Sequence, residues 1–273
     1  MLIAIDFGIS NTDIVVNDKG AYKFFSHPTD EKINERFLEK IFSYIDIPAD
    51  NFSLIGVTGG KSSDLSDEYH NVKILKVNEV DAIAMGAKSI FKINDGLPFV
   101  AISAGTGTAC IYNDNGVTTH LGGISVGGGT LQGLSKKLFN EDSSATLEKL
   151  SLAGNRTNLD SLIGEVVNDI GSLHPEITAS NFEKAKYSDD HSNSDIAASL
   201  SNMVGEIIGT ISYLNALLMG VSEVFFIGRV ANLEVVRTGI TDRLELASIK
   251  GNFDSQSGFG NALGVMFFLN KES

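Results

Sequence analysis

ISAGTGTACIYNDNG, residues Ile102 to Gly116, sets a Gly- and Thr-rich turn between two apolar runs. Taken alone the turn is ambiguous. Glycine relieves steric limits wherever a hairpin turns sharply, and the same small residues line phosphate cradles. A second copy changes the reading. IAIDFGISNTDIVVNDKG (Ile3 to Gly20) and VAISAGTGTACIYNDNG (Val100 to Gly116) share one pattern: apolar strand, polar residue, x-Gly, small polar turn, apolar strand, then Asn-Asp-x-Gly. Asp6 falls opposite Ser103, Gly8 opposite Gly105, and Asn17-Asp18 opposite Asn113-Asp114, with the second copy one residue shorter across the turn. Each Asp-x-Gly is a hairpin signal, and each is followed by a third short strand, AYKFF or VTTHLGG.

After each three-strand unit the pattern turns helical. Ile33 to Ile45 place Phe37, Leu38, Ile41, Phe42 and Ile45 on one face. SLIGVTGG (Ser53 to Gly60) reads as a buried strand ending in a Gly turn, and Val72 to Phe91 as a short strand and a helix starting near Glu79. In the second half, Ile196 to Leu218 carries Leu200, Met203, Val204, Ile207, Ile208, Ile211 and Leu214 at helical spacing. EVFFIGRVA (Glu223 to Ala231) is then a buried strand running into a Gly turn. NDGLP (Asn94 to Pro98) clusters turn formers, which divides the chain into an N-terminal lobe, 1–97, and a C-terminal lobe, 98–273. Two copies of β-β-β-α-β-α predict an α/β fold of two similar lobes facing across a cleft. Gly8, Ser10, Asn11 and Thr12 on one side and Gly105, Thr106, Gly107 and Thr108 on the other could then wrap a polyphosphate, since small residues let its oxygens reach backbone amides.

Composition narrows the classes. The 273 residues suffice for two modest domains or one large one, and 42% hydrophobic with 20% charged residues argues for a folded chain. The net charge of −13 argues against nucleic-acid or anionic-membrane partners, yet permits a nucleotide held by local amides and Mg²⁺. One cysteine, Cys110, allows neither an internal disulfide nor a cysteine metal cluster within the chain. MLIAIDFG reads as a strand rather than a signal peptide, and no run approaches membrane-span length, so a cytoplasmic protein is expected. The acidic stretch YSDDHSNSD, Tyr187 to Asp195, reads as a solvated loop.

The ordered motifs resemble the acetate/sugar kinase, Hsc70 and actin superfamily, and within it the type II pantothenate kinases. AIDFG stands at the first phosphate loop, GVTGG (Gly56 to Gly60) at a Thr-Gly-Gly turn, NEVDA (Asn78 to Ala82) at a Glu-x-Asp-Ala segment, and AGTGTA at the second phosphate loop. GGISVGGGTLQGL (Gly122 to Leu134) is the most specific match, and GNRTNLDSL, ITASNF, FFIGRVANL and GFGNALGVMFF follow in order. The resemblance implies two ribonuclease-H-like lobes in the actin-like ATPase architecture, ATP and Mg²⁺ as cofactors, a small-molecule substrate and a homodimer. It implies that Asp6 holds Mg²⁺ and that Glu79 is the base that takes the proton of an attacking primary hydroxyl. Gly105 to Thr108 would contact phosphates. Gly127, Gly128 and Gly129 would carry backbone amides to the nucleotide, and Gly228 would lie near the adenosine. Ser103, His120 and Arg156 are substrate-side candidates. Plainer readings stand beside these: Asp6 as a strand-end carboxylate, Glu79 as a favourable helix-dipole charge, the glycines as packing devices.

Two positions depart from the pattern. Where the family's first loop has Lys, this chain has Asp13, which either faces the phosphates at a cost or points to solvent. Where the family has Arg before the Gly-rich segment, this chain has His120, and an imidazole does not replace a permanently charged guanidinium fork. Arg156 either compensates or is a surface residue. The leading expectation is phosphorylation of the primary hydroxyl of pantothenate, the first step of coenzyme A biosynthesis. The alternatives are a same-fold kinase for another small hydroxyl compound and a nucleotide-binding regulator with weakened catalysis.

Overall fold

A computed structural model describes residues 1–168, 174–188 and 190–272; Asp189 of the acidic stretch lies outside them. The first half comprises β1 (Leu2–Phe7), β2 (Asn11–Asp18), β3 (Ala21–Pro28), α1 (Glu35–Ile45), β4 (Leu54–Thr58), β5 (Glu68–Tyr69), β6 (Val72–Lys76) and α2 (Glu79–Phe91). The second comprises β7 (Phe99–Ala104), β8 (Thr108–Asp114), β9 (Val117–Ile124), α3 (Gly128–Phe139), α4 (Ser144–Ala153), β10 (Ser161–Leu162), α5 (Ile163–Val166), β11 (Thr178–Ser180), α6 (Asn193–Met219), β12 (Glu223–Ile227), α7 (Glu234–Glu245), β13 (Lys250–Asn252) and α8 (Gly260–Glu272).

The duplication is explicit in the sheets. One large sheet has strand order β3-β2-β1-β4-β6-β5, the other large sheet β13-β12-β7-β8-β9, and β10 and β11 pair separately. In each large sheet, a three-strand antiparallel meander continues through parallel strands, β4 and β6 in the first and β12 and β13 in the second. The burial pattern along β1 and β7 is the same, with Asp6 and Ser103 as the one half-buried position in each strand. Both meanders turn through two-residue loops with positive φ, Lys19-Gly20 and Asn115-Gly116, the geometry that matches the twist of paired strands.

Each sheet is covered on both faces. On the outer faces, α1 packs Phe37, Leu38 and Ile41 against Ile3, Ile5 and Phe7, and α6 packs Leu200, Val204 and Ile208 against Val100, Ile102 and Ala104. The inner faces take helices from the opposite ends of the chain. Val265, Met266 and Leu269 of α8 meet Ala4 and Val15 of the first sheet, while Ile83, Ala84 and Ala87 of α2 meet Ala101, Ile111 and Ile227 of the second. The helices α2 and α8 cross closely, since a Cβ on Gly86 would lie 2.0 Å from the Gly260 oxygen, and one on Gly264 1.8 Å from the Ala82 oxygen. Only glycine permits that approach.

The expected α1 face is buried in full. The α6 stripe is not: Leu214 is exposed, while Ser199, Asn202 and Glu206 are buried. This helix lies against α4 and α7 as well as the sheet, so burial is set by three neighbours rather than by one apolar stripe. No helix among the described residues is long and apolar enough to cross a membrane.

Candidate active site

The two Gly-containing loops meet. Ser10 Oγ and Thr106 Oγ1 lie 2.9 Å apart, joining the tips of the β1–β2 and β7–β8 turns. The amides of Gly8, Ile9 and Ser10, and of Thr106 and Gly107, donate to no backbone carbonyl among the described residues, so both tips keep donors for an anion. Thr12 and Thr108 contribute differently. Both are buried, with Thr12 Oγ1 2.9 Å from Thr29 Oγ1 and Thr108 Oγ1 donating to the Val126 carbonyl at 2.8 Å, so their hydroxyls fasten the loop bases. Asn11 opens β2 beside the first tip.

The Gly-rich segment is packed onto the second loop. Gly128 N–H donates to the Gly105 carbonyl at 2.8 Å and Gly129 N–H to the Thr106 carbonyl at 3.0 Å, and a Cβ on Gly127 would come within 3.0 Å of this loop's backbone. In this structure those two amides hold the loop's shape. Gly228 acts at the loop's base: its φ is +90°, its N–H donates to the Ser257 carbonyl at 2.7 Å, and a Cβ there would lie 2.2 Å from the Ala104 oxygen.

Asp6 sits at the end of β1 on the inner face, directly opposite Asp13 in the β1–β2 ladder. Cross-strand partners share a face, so two carboxyls stand side by side. Burial raises the Asp6 carboxyl to about 8, helped by the Asp13 and Glu79 charges, while the Asn261 amide and Arg229 pull it down. Its Oδ1 is buried and without a hydrogen-bond partner. Gly59, at φ +74°, leaves it room, because a Cβ there would lie 2.5 Å from Oδ1. A desolvated carboxylate oxygen with no partner fits a divalent cation. Among the described residues no group of three or more acidic, His or Cys side chains could hold a metal, so phosphate and water would complete the shell, as suits Mg²⁺.

Glu79 is the exposed first residue of α2, whose cap is Asn78, its side chain accepting from Val80 N–H. Its charge adds to that of Asp13 in raising the Asp6 carboxyl. Ser103 stands on the inner face of the second sheet, opposite Ala109 and beside Ile227. His120 is exposed on the edge strand β9, opposite Ile111, and therefore on the face that carries α2. Arg156 lies elsewhere. It donates to Thr178 Oγ1 and the Glu176 carbonyl, both at 2.8 Å, and with Arg243, Glu206 and Asp242 lines a cavity of about 420 Å³ whose described lining includes no residue of the β1–β2 or β7–β8 turn.

Asp13 does not point to solvent. It is buried and held by both terminal nitrogens of Arg229, which also donates to Ser26 Oγ at 2.9 Å. Sequence reasoning passed over Arg229, Asn261 and Gly59 as site residues, although all three lie in stretches quoted above as motifs. The contacts that matter join positions more than fifty residues apart.

A sequence model of the Fumble family matches residues 88–238. A type II pantothenate kinase from Bacillus thuringiensis subsp. konkukian is 35% identical over 243 residues, covering 83% of this chain and 82% of that protein. The chain belongs to the type II pantothenate kinase family. Solved structures agree on the fold. An activator of 2-hydroxyisocaproyl-CoA dehydratase from Clostridium difficile, with bound ADPNP, matches with TM-score 0.66 at 16% identity, over 99% of this chain and 94% of that one. A ROK family glucokinase from Streptomyces griseus, in complex with glucose and AMPPNP, matches with TM-score 0.62 at 14% identity, over 98% of each chain. The expected two-lobed α/β architecture of the actin-like ATPase type is therefore the architecture of this family member.

Proposed function

We propose that the protein is an ATP-dependent kinase that phosphorylates the primary hydroxyl of pantothenate, the first step of coenzyme A biosynthesis. The observation that carries this reading is the Asp6 carboxyl, whose buried Oδ1 has no hydrogen-bond partner, together with two joined loops with free amides, in a chain of this family. The lobes are residues 1–97 and 98–273, with α8 returning to the first sheet. Loop amides and the hydroxyls of Ser10 and Thr106 hold the phosphates, and Gly127–Gly129 act by shaping the second loop. Asp6 would hold Mg²⁺, which when bound offsets phosphate charge. Glu79 takes the proton of the acceptor hydroxyl as its oxygen bonds to the γ-phosphorus, and ADP leaves with the electron pair of the broken bond. Ser103 and His120, on the face against α2, are the substrate-side residues. Arg156, in its own network, is left to that second cavity.

Of the two departures that favour a different acceptor, Asp13 loses its force because Arg229 cancels its charge. His120 alone keeps the second reading, a kinase for another small hydroxyl compound. A cytoplasmic setting and a homodimer belong to the proposal; exposed Leu214, Leu217 and Leu218 on one side of α6 support the dimer. The test is ADP release with Mg-ATP, with and without pantothenate. Pantothenate-dependent turnover that falls about 10²- to 10⁴-fold in Glu79→Gln, with folding intact, is the expected result. Turnover indifferent to pantothenate, with nucleotide binding retained, rejects this acceptor.

A further inference from the structure

We propose that Asp13 and Arg229 form an interlobe clamp that sets the spacing of the two phosphate loops, so that both are positioning residues for the nucleotide. The inference rests on the nucleotide cleft described above, and not on which acceptor is used. Asp13 lies on β2, just beyond the first loop, and Arg229 directly follows Gly228, whose backbone presses on Ala104 at the base of the second. Their side chains therefore tie loop base to loop base across 216 residues of sequence, while Ser10 and Thr106 join the tips.

The arginine is held from several sides. Its Nη1 donates to Asp13 Oδ2 at 2.8 Å, its Nη2 to Asp13 Oδ1 and to Ser26 Oγ, and its guanidinium lies 5.5 Å from the Phe259 ring centroid. Its stem runs past Gly258, where a Cβ would lie 3.0 Å from Arg229 Cγ. A planar fork on a buried carboxylate fixes direction as well as distance, which a lysine ammonium does not. Asp6, Asp13 and Ser26 occupy one row across β1, β2 and β3, so the pair also cancels a carboxylate that would otherwise repel phosphate beside Asp6.

The test measures Mg-ADP affinity calorimetrically on the full chain, without acceptor, for Asp13→Asn, Arg229→Met, Arg229→Lys, the single changes Asp13→Arg and Arg229→Asp, and their combination, the exchange Asp13→Arg/Arg229→Asp. Binding should weaken about tenfold in Arg229→Met, an order that close charge pairs supply, and less in Arg229→Lys. The exchange should bind more tightly than either of its single components. Asp13→Asn keeps a polar partner of the same shape, so it reports even where Arg229→Met does not fold. Affinities for Asp13→Asn and Arg229→Lys at or above the wild-type value, or an exchange no better than its components, overturn the clamp. A wild-type chain that binds no Mg-ADP instead overturns the nucleotide cleft itself.

Discussion

Placing Asp6 opposite Asp13 sets two carboxyls on one face of a ladder, where like charges repel. Arg229 answers for Asp13, and Asp6 remains with its proton held up to about 8, against an ordinary 3.8. The folded chain therefore binds this proton across a window in which the unfolded chain has lost it. Without a cation, the contribution of Asp6 to stability falls as pH rises from about 3.8 to about 8. Asp6→Asn removes the ionisable group, so its stability should lose this dependence. In EDTA at the alkaline end of the window the variant should be the more stable protein, and near the acid end the two should converge. Urea midpoints at both ends check this. A difference between wild type and Asp6→Asn that does not change across the window rejects it. Mg²⁺ with ADP should raise the wild-type midpoint at the alkaline end more than that of Asp6→Asn, because the variant keeps the loop donors for phosphate but lacks the ionised carboxylate that attracts the cation.

At the scale of elements, the α2–α8 crossing depends on absent side chains. Gly264→Ala would drive a methyl to 1.8 Å from the Ala82 oxygen, so the helices must part. The expected loss is about 1–3 kcal/mol, read as a lower urea midpoint. Gly133 of α3 is the control, since nothing lies within 4 Å of its Cβ position; Gly133→Ala should stabilise by about 0.5–1 kcal/mol. Equal effects at the two sites would show that propensity, not the crossing, governs both. The strands of the two meanders with their hairpins, β4, β6, β12 and α1 were legible because each is written in local periodicity and turn residues, whereas the two- and three-residue strands β5, β10, β11 and β13 are too short to carry a period. The loops were legible because the pattern repeats. Thr12 and Thr108 were read as phosphate ligands because they are small and polar, but pleat direction, not residue type, turns their hydroxyls inward. Arg229 could not be paired with Asp13 from sequence, since nothing local links a β2 carboxylate to a turn after β12.

For the whole molecule, the remaining question is what covers the end of α6. Leu214, Leu217 and Leu218 recur at spacings of three and four, so they share one side of the helix, and Leu218 is 73% exposed. Leu134 and Leu138 of α3, a helix in contact with α6, are exposed as well. A chain of net charge −13 repels its copies at long range, so a dimer needs a compact apolar contact free of carboxylates. The α6 side supplies one. Leu217→Glu with Leu218→Glu would add carboxylates at the centre of that contact while disturbing no core, because both positions are exposed in the single chain. Light scattering should find twice the chain mass for wild type and the single-chain mass for the variant, with circular dichroism unchanged. A variant that stays dimeric places the contact elsewhere. A wild-type monomer at micromolar concentration removes the dimer, and leaves the exposed leucines of α6 to another partner.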